Sequence, residues 1–246
     1  MSNNKVKELC VVYDKLVRLT GTALNNINYT SLNSIEKKTF YEFLERINIS
    51  TFVISTLFSH YFANDKMKFP IASHLRILLI DCITIYYLIG NNDKPDSFLT
   101  KINRLSKPVF KEQKELYESM AKNGSEDYKD YIVLVKTVFS EMYDSKGKVK
   151  YSFCDLSVKE MYEALVKKKP NIVFDNMYKL FQYFSNYVHY SKITKKILDA
   201  PVDQDFNRFI ISTGHITDTI YEVFVQLGVE LDNQQFEELK KMLLKI

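Results

Sequence analysis

The chain of 246 residues contains no tryptophan, only six glycines and only five prolines. Gly and Pro punctuate tight turns and strand ends, so their scarcity argues against a hairpin-rich β fold and leaves long helices with few breaks. Arginine is also sparse: Arg18, Arg46, Arg76, Arg104 and Arg208 are all there are, and lysine supplies most of the positive charge behind the net +4. A pI near 8.7 falls short of the value above about 9 typical of a dedicated nucleic-acid domain, so the charge admits RNA or DNA without requiring either. The clusters Lys167-Lys168-Lys169 and Lys192 with Lys195-Lys196 read as solvated helix ends, where cations complement the helix dipole.

Three cysteines, Cys10, Cys82 and Cys154, are odd in number and lack CxxC spacing. Neither a disulfide framework nor a zinc knuckle is expected, and a reducing cytoplasm fits best. The opening residues, Met1 to Glu8, adjoin no apolar core of the signal-peptide type. The strongest apolar run, Ile77 to Ile89, is short of the ~20 residues that span a bilayer and carries Asp81, so it reads as a buried helix with no membrane partner.

What is present is 46% hydrophobic residues, ample for a core, and a repeated helical periodicity. The spacing predicts helices over Lys5 to Leu24, from Ser34 to about Phe62, from Pro70 to Leu88 or Ile89, in two pieces between Lys94 and Asn123 separated near Pro108, and over Glu126 to Met142. Further helices are expected from the capping box Ser157-Val158-Lys159-Glu160 to Lys168, from Val173 to Tyr190, from Asp203 to Leu227 closed by Gly228, and from Gln234 to Leu244. The third helix is apolar almost all round and belongs at the centre of a bundle, where neighbours cover every face. The expected fold is all-α: a single multi-helix bundle over residues 1–246, with a weak break near 143–155.

The segment Asp175 to Ser191 carries the strongest candidate site. At 100° per residue, Tyr178, Gln182, Ser185 and His189 fall within about 60° of one another beside an apolar arc of Leu180, Phe181, Phe184 and Val188, as in a cleft wall. An unperturbed histidine titrates near neutrality, so His189 suits general acid/base work, with Ser185 one turn earlier to orient it or to bind a phosphate oxygen. On the third helix, His74 and Asp81 share a face while Arg76 points roughly opposite, and ionised groups on so apolar a helix need partners or a cavity. GxGxxG, P-loop, HExxH, GxSxG and EF-hand patterns are absent, and His60, His74, His189 and His215 stand on four different predicted helices, so no metal or cofactor is called for.

Three segments together resemble an uncharacterised bacterial all-helical family related to HEPN proteins: Leu75-Arg76-Ile77-Leu78-Leu79-Ile80-Asp81, Leu156-Ser157-Val158-Lys159-Glu160-Met161, and Tyr183-Phe184-Ser185-Asn186-Tyr187-Val188-His189. The resemblance spans roughly residues 71–227. It implies a helical bundle that binds or cleaves RNA or nucleotide as a metal-independent ribonuclease of phage defence or stress response, working across a homodimer interface. Under it His189 is the catalytic histidine, Ser185 its neighbour, and Tyr178, Gln182 and Asn186 supporting residues, with His74 and Asp81 from the third helix. HEPN nucleases carry an Arg separated from this His by four to six residues; here Gln182, Tyr183 and Phe184 fill those places, which leaves Arg76 of the neighbouring helix as the cation. The alternative is a non-catalytic interaction module in which Ser185, His189 and Arg76 form a structural network.

Overall fold

The computed structural model describes residues 2–61, 65–90, 97–122, 130, 133, 136–137, 140, 143–147, 156–168, 171–188, 202–230 and 233–246. It is all-α. Eight α-helices are described: α1 (Ser2–Asn26), α2 (Ile35–His60), α3 (Lys68–Ile89), α4 (Ser97–Lys122), α5 (Val158–Lys168), α6 (Ile172–Val188), α7 (Val202–Leu227) and α8 (Asn233–Lys245), with short 3-10 turns at Tyr29–Ser31 and Asp65–Met67. The helix expected over Glu126 to Met142 lies largely outside the described residues, as do His189 and Cys154.

Two compact units emerge, one formed by Met1–Ile89 with Met161–Ile246 and the other by Gly90–Glu160. In the first unit, α3 packs against α2, α6 and α7, which makes it the central helix that its composition calls for. Its buried residues include Ile71, Ala72, Leu75, Leu78, Leu79, Cys82, Ile83 and Ile85 on several sides of the helix. At about 1.5–3 kcal/mol for each fully buried large apolar side chain, this helix is a principal source of stability. All of Lys68–Ile89 is long and apolar enough to cross a membrane, longer than the run Ile77 to Ile89 alone, and 67% of its most apolar window is buried in the fold.

Aromatic contacts continue the core outward from α3. Tyr13 of α1 packs on Phe58 of α2 at 5.6 Å between ring centroids, Phe58 on Phe209 of α7 at 6.0 Å, and Phe209 on Phe184 of α6 at 6.0 Å. Tyr13 is fully buried, and its hydroxyl shares a 3.0 Å hydrogen bond with Thr213, which satisfies the polar end of an otherwise apolar ring.

In the second unit, α4 runs unbroken through Pro108 where two pieces were expected. A proline inside a helix removes one N–H and costs about 3 kcal/mol, but it kinks a helix as readily as it ends one. The Lys101 ammonium donates to the Gly90 carbonyl, and Phe110 meets Tyr143 edge to face at 5.5 Å. The polar stretch from Tyr143 lies within this unit and contains a turn: the Gly147 amide donates to the Asp144 carbonyl over 2.9 Å, with Gly147 at φ 71°.

Candidate functional site

Helix α6 begins where Asn171 accepts a 3.0 Å hydrogen bond from the Val173 amide, the role of an N-cap side chain. It buries Met177, Leu180, Phe184 and Tyr187. That stripe corrects the expected apolar arc, because Val188 is 48% exposed while Tyr187 is fully buried. The reason is polar: a phenol can enter the core if its hydroxyl finds a partner, and Tyr187 finds Asp205.

On the α3 side of α6, the Ser185 hydroxyl donates to the Phe181 carbonyl over 2.8 Å, one turn back. This fixes the rotor and turns an oxygen lone pair outward to receive the Arg76 Nε–H at 3.0 Å. The guanidinium carbon stands 5.3 Å from the centre of the Phe181 ring. Arg76 is half-buried, and among the described residues no carboxylate pairs with it. Its Nε is committed to Ser185, while its two terminal amino groups have no acceptor among the described residues. The aromatic surface extends from this cation: Phe181 lies 5.9 Å from Tyr178, and Tyr178 stacks on Tyr162 of α5 at 4.3 Å with only 4° between the planes. Tyr162 is in turn held by Asp175, to which its hydroxyl donates at 2.7 Å.

Of the expected site residues, the fold thus brings together Arg76, Ser185 and Tyr178. Gln182 and Asn186 are exposed on the same helix, and His189 lies outside the described residues. Asp81 and His74 occupy the α3 face turned away from Arg76. Asp81 is 2% exposed and takes a 2.9 Å ion pair from Arg46 of α2. Burial raises its carboxyl to about 6, and the nearby Arg46 charge only partly offsets that. His74 is half-buried, and desolvation holds its imidazole below the ordinary value.

On the opposite side of α6 stands a group that sequence reasoning missed. Asp205 of α7 is fully buried, and its two carboxylate oxygens accept from Tyr183 at 2.5 Å and Tyr187 at 2.7 Å. Arg208, one turn on, reaches the same carboxylate at 3.8 Å and lies over the Tyr183 ring at 3.9 Å. Both phenols are raised above the ordinary tyrosine value, first by desolvation and then by donation to the carboxylate, so they remain donors at neutral pH. The signal was present as Tyr183 and Tyr187 one turn apart and Asp205 and Arg208 three apart, but nothing local couples the two helices. Beside this network a cleft of about 280 Å³ is lined by Asn176, Lys179, Leu180, Tyr183, Arg208 and Ile211.

A larger cleft, about 440 Å³, lies among α1, α8 and the end of α7. Its charges are mixed, Lys15 and Arg18 with Glu230 and Glu238, and Lys15 stands 3.9 Å from Glu238, so it offers no field of one sign. Among the described residues, no three His, Cys, Asp or Glu side chains converge as metal ligands. Comparison with protein-family models, curated proteins and solved structures gives no match to this chain. Function must therefore be argued from the α6 surface itself, where one cation, one hydroxyl and three aromatic rings lie in sequence.

Proposed function

We propose that this chain is a HEPN-like helical protein that binds RNA or nucleotide along the Arg76 edge of α6 and cleaves RNA without a metal, in phage defence or stress response. The observation that carries the reading is the Arg76 guanidinium, anchored through Nε on Ser185 with no carboxylate partner among the described residues, beside Phe181, Tyr178 and Tyr162. A fixed guanidinium offers paired donors to phosphate oxygens, and aromatic rings next to it offer faces to bases. Ser185, already donating to Phe181, holds the cation in place.

In the cleavage step His189 takes the proton from a ribose 2′-hydroxyl as that oxygen attacks phosphorus. The bond from phosphorus to the 5′-oxygen breaks, the leaving oxygen takes a proton from solvent water, and a 2′,3′-cyclic phosphate remains. Arg76 stabilises the charge gathered on the phosphoryl oxygens. The homodimer and the cytoplasmic setting belong to the same proposal; the free thiols of Cys10 and Cys82 fit a reducing compartment.

The test is incubation of mixed cellular RNA with the parent protein, His189→Ala and Arg76→Lys, with chelator and no added metal. The parent should yield fragments ending in cyclic phosphate. His189→Ala should yield none, and Arg76→Lys, which keeps the charge but loses the fork of donors, should cut at least tenfold more slowly. Equal cleavage by parent and His189→Ala would remove the catalytic assignment.

A second reading, a non-catalytic interaction module, has its own observation: the Arg76 to Ser185 bond joins α3 to α6 and is a structural tie in itself. It predicts no cleavage by any form, together with a lower melting temperature or weaker dimerisation in His189→Ala.

A further inference from the structure

The Arg76 edge occupies only one side of α6. At 100° per residue, Ser185, Tyr178 and Phe181 project toward α3 and α5, Asn176 and Tyr183 toward α7, and Lys179, Gln182 and Asn186 form the exposed strip between them. The α7 side holds the 280 Å³ cleft, and no acidic residue lines it among the described residues. Arg208 forms one wall, 3.8 Å from the buried Asp205 carboxylate and over the Tyr183 ring. Lys179 has no carboxylate partner among the described residues, and the Asn176 amide has no hydrogen bond there. The cleft therefore presents, among the described residues, one ammonium with no carboxylate partner, one guanidinium and one amide, beside a Tyr183 ring fixed by its donation to Asp205. Two cationic stations flank a single helix, and a helix with its side chains is about 10–12 Å across. That span suits a chain of linked phosphates and exceeds what one monophosphate can reach.

We propose that the cleft between α6 and α7 is a second phosphate subsite, and that the ligand is a single-stranded RNA laid across the exposed strip of α6, with one phosphate at Arg76 and another at Lys179 and Arg208. This rests on the reading of the Arg76 edge as a nucleotide site and specifies its substrate as a polymer. Gln182 and Asn186 lie under the strand between the two stations. Lys179 acts as a point charge on the backbone, so it contributes affinity and salt dependence without base preference.

The experiment measures binding of the full chain to two probes, AMP and a labelled 2′-O-methyl RNA of about ten nucleotides. The 2′-O-methyl group prevents attack through the 2′-oxygen, so binding is read without turnover. Each probe is titrated at several salt concentrations with the parent and with Lys179→Ala; Lys179 is exposed, so its truncation leaves the core intact. The parent should hold the oligomer at least tenfold more tightly than AMP. Lys179→Ala should weaken the oligomer several-fold, flatten its logarithmic salt slope by about 0.7, the share of one phosphate on a single strand, and leave AMP unchanged. Parent binding to neither probe would overturn the nucleotide reading itself. Oligomer binding that Lys179→Ala leaves untouched, or an equal loss for AMP and oligomer, would overturn the second subsite while the Arg76 site stands.

Discussion

At the scale of single residues, Asp81 shows how a buried charge sets the pH dependence of stability. Its carboxylate is removed from water on the central helix, and its partner Arg46 has a side chain 59% exposed, so solvent screens the ion pair and burial outweighs it. The folded protein therefore binds a proton at Asp81 more readily than the unfolded chain. The stabilising effect of that proton is complete below the ordinary aspartate value near 4 and is lost as pH rises through about 6. Asp81→Asn keeps the shape, removes the buried charge, and leaves Arg46 where water can solvate it. It should raise stability at pH 7 by roughly 1–3 kcal/mol and flatten the stability profile between pH 4 and 6, as read from urea melts across that range. A variant less stable than the parent at pH 7 would mean that the Arg46 pair outweighs the desolvation cost.

At the scale of elements, the helix ends show most clearly what local sequence can encode. The expected capping box is present, with the Glu160 amide donating to the Ser157 hydroxyl at 3.2 Å and the Ser157 amide to the Glu160 carboxylate at 2.7 Å. Ser34 likewise accepts from the Lys37 amide at 3.2 Å and opens α2. At the other end of a helix, α7 closes as expected: the Gly228 amide donates to the Val225 carbonyl at 3.1 Å and the Val229 amide to the Phe224 carbonyl at 3.0 Å, with Gly228 at φ 72°. A Cβ at Gly228 would approach nothing nearer than the Lys37 ammonium at 4.0 Å, so its cost lies in the backbone alone. Gly228→Ala should lose about 1–2 kcal/mol, a fall of about 2–8 °C in melting temperature for a chain of this size, while the proposed RNA binding should match that of the parent. Such features were legible because they are written within a few adjacent residues. Unbroken passage through Pro108 was not, since whether a proline kinks or ends a helix depends on what packs beside it. Nor was the Asp205 network, because Tyr183 and Tyr187 acquire their acceptor from a different helix. The pairing of Arg76 with Ser185, 109 residues apart, was expected within the grouping of Arg76, Ser185 and His189 that the family resemblance suggested, and no local pattern encodes it.

At the scale of the whole molecule, the all-α class and the central place of α3 follow from composition: few turn formers dictate long helices, and a helix apolar on every side must be enclosed. That enclosure ranks the helices of the first unit by stability. Opening α3 exposes its contacts with α2, α6 and α7 together, so its middle amides should exchange only through global unfolding. Helix α8 packs on α7 and α1 through Phe236, Leu239 and Leu243, while most of its other residues face solvent, so it can open without disturbing the centre. Native-state hydrogen exchange should therefore show amides around Leu78 to Ile85 at least a hundredfold more protected than those of α8, a gap of about 3 kcal/mol. Ser185 and Arg76 belong to α6 and α3, so the Arg76 edge should share the slow exchange expected of the central helix. A site held this way pre-organises its cation, and under the proposed RNA-binding function added RNA should change exchange in α3 little while slowing it along α6. Equal protection of α3 and α8 would show that the first unit unfolds as one cooperative block, and the stability ranking drawn from the burial of α3 would then fail.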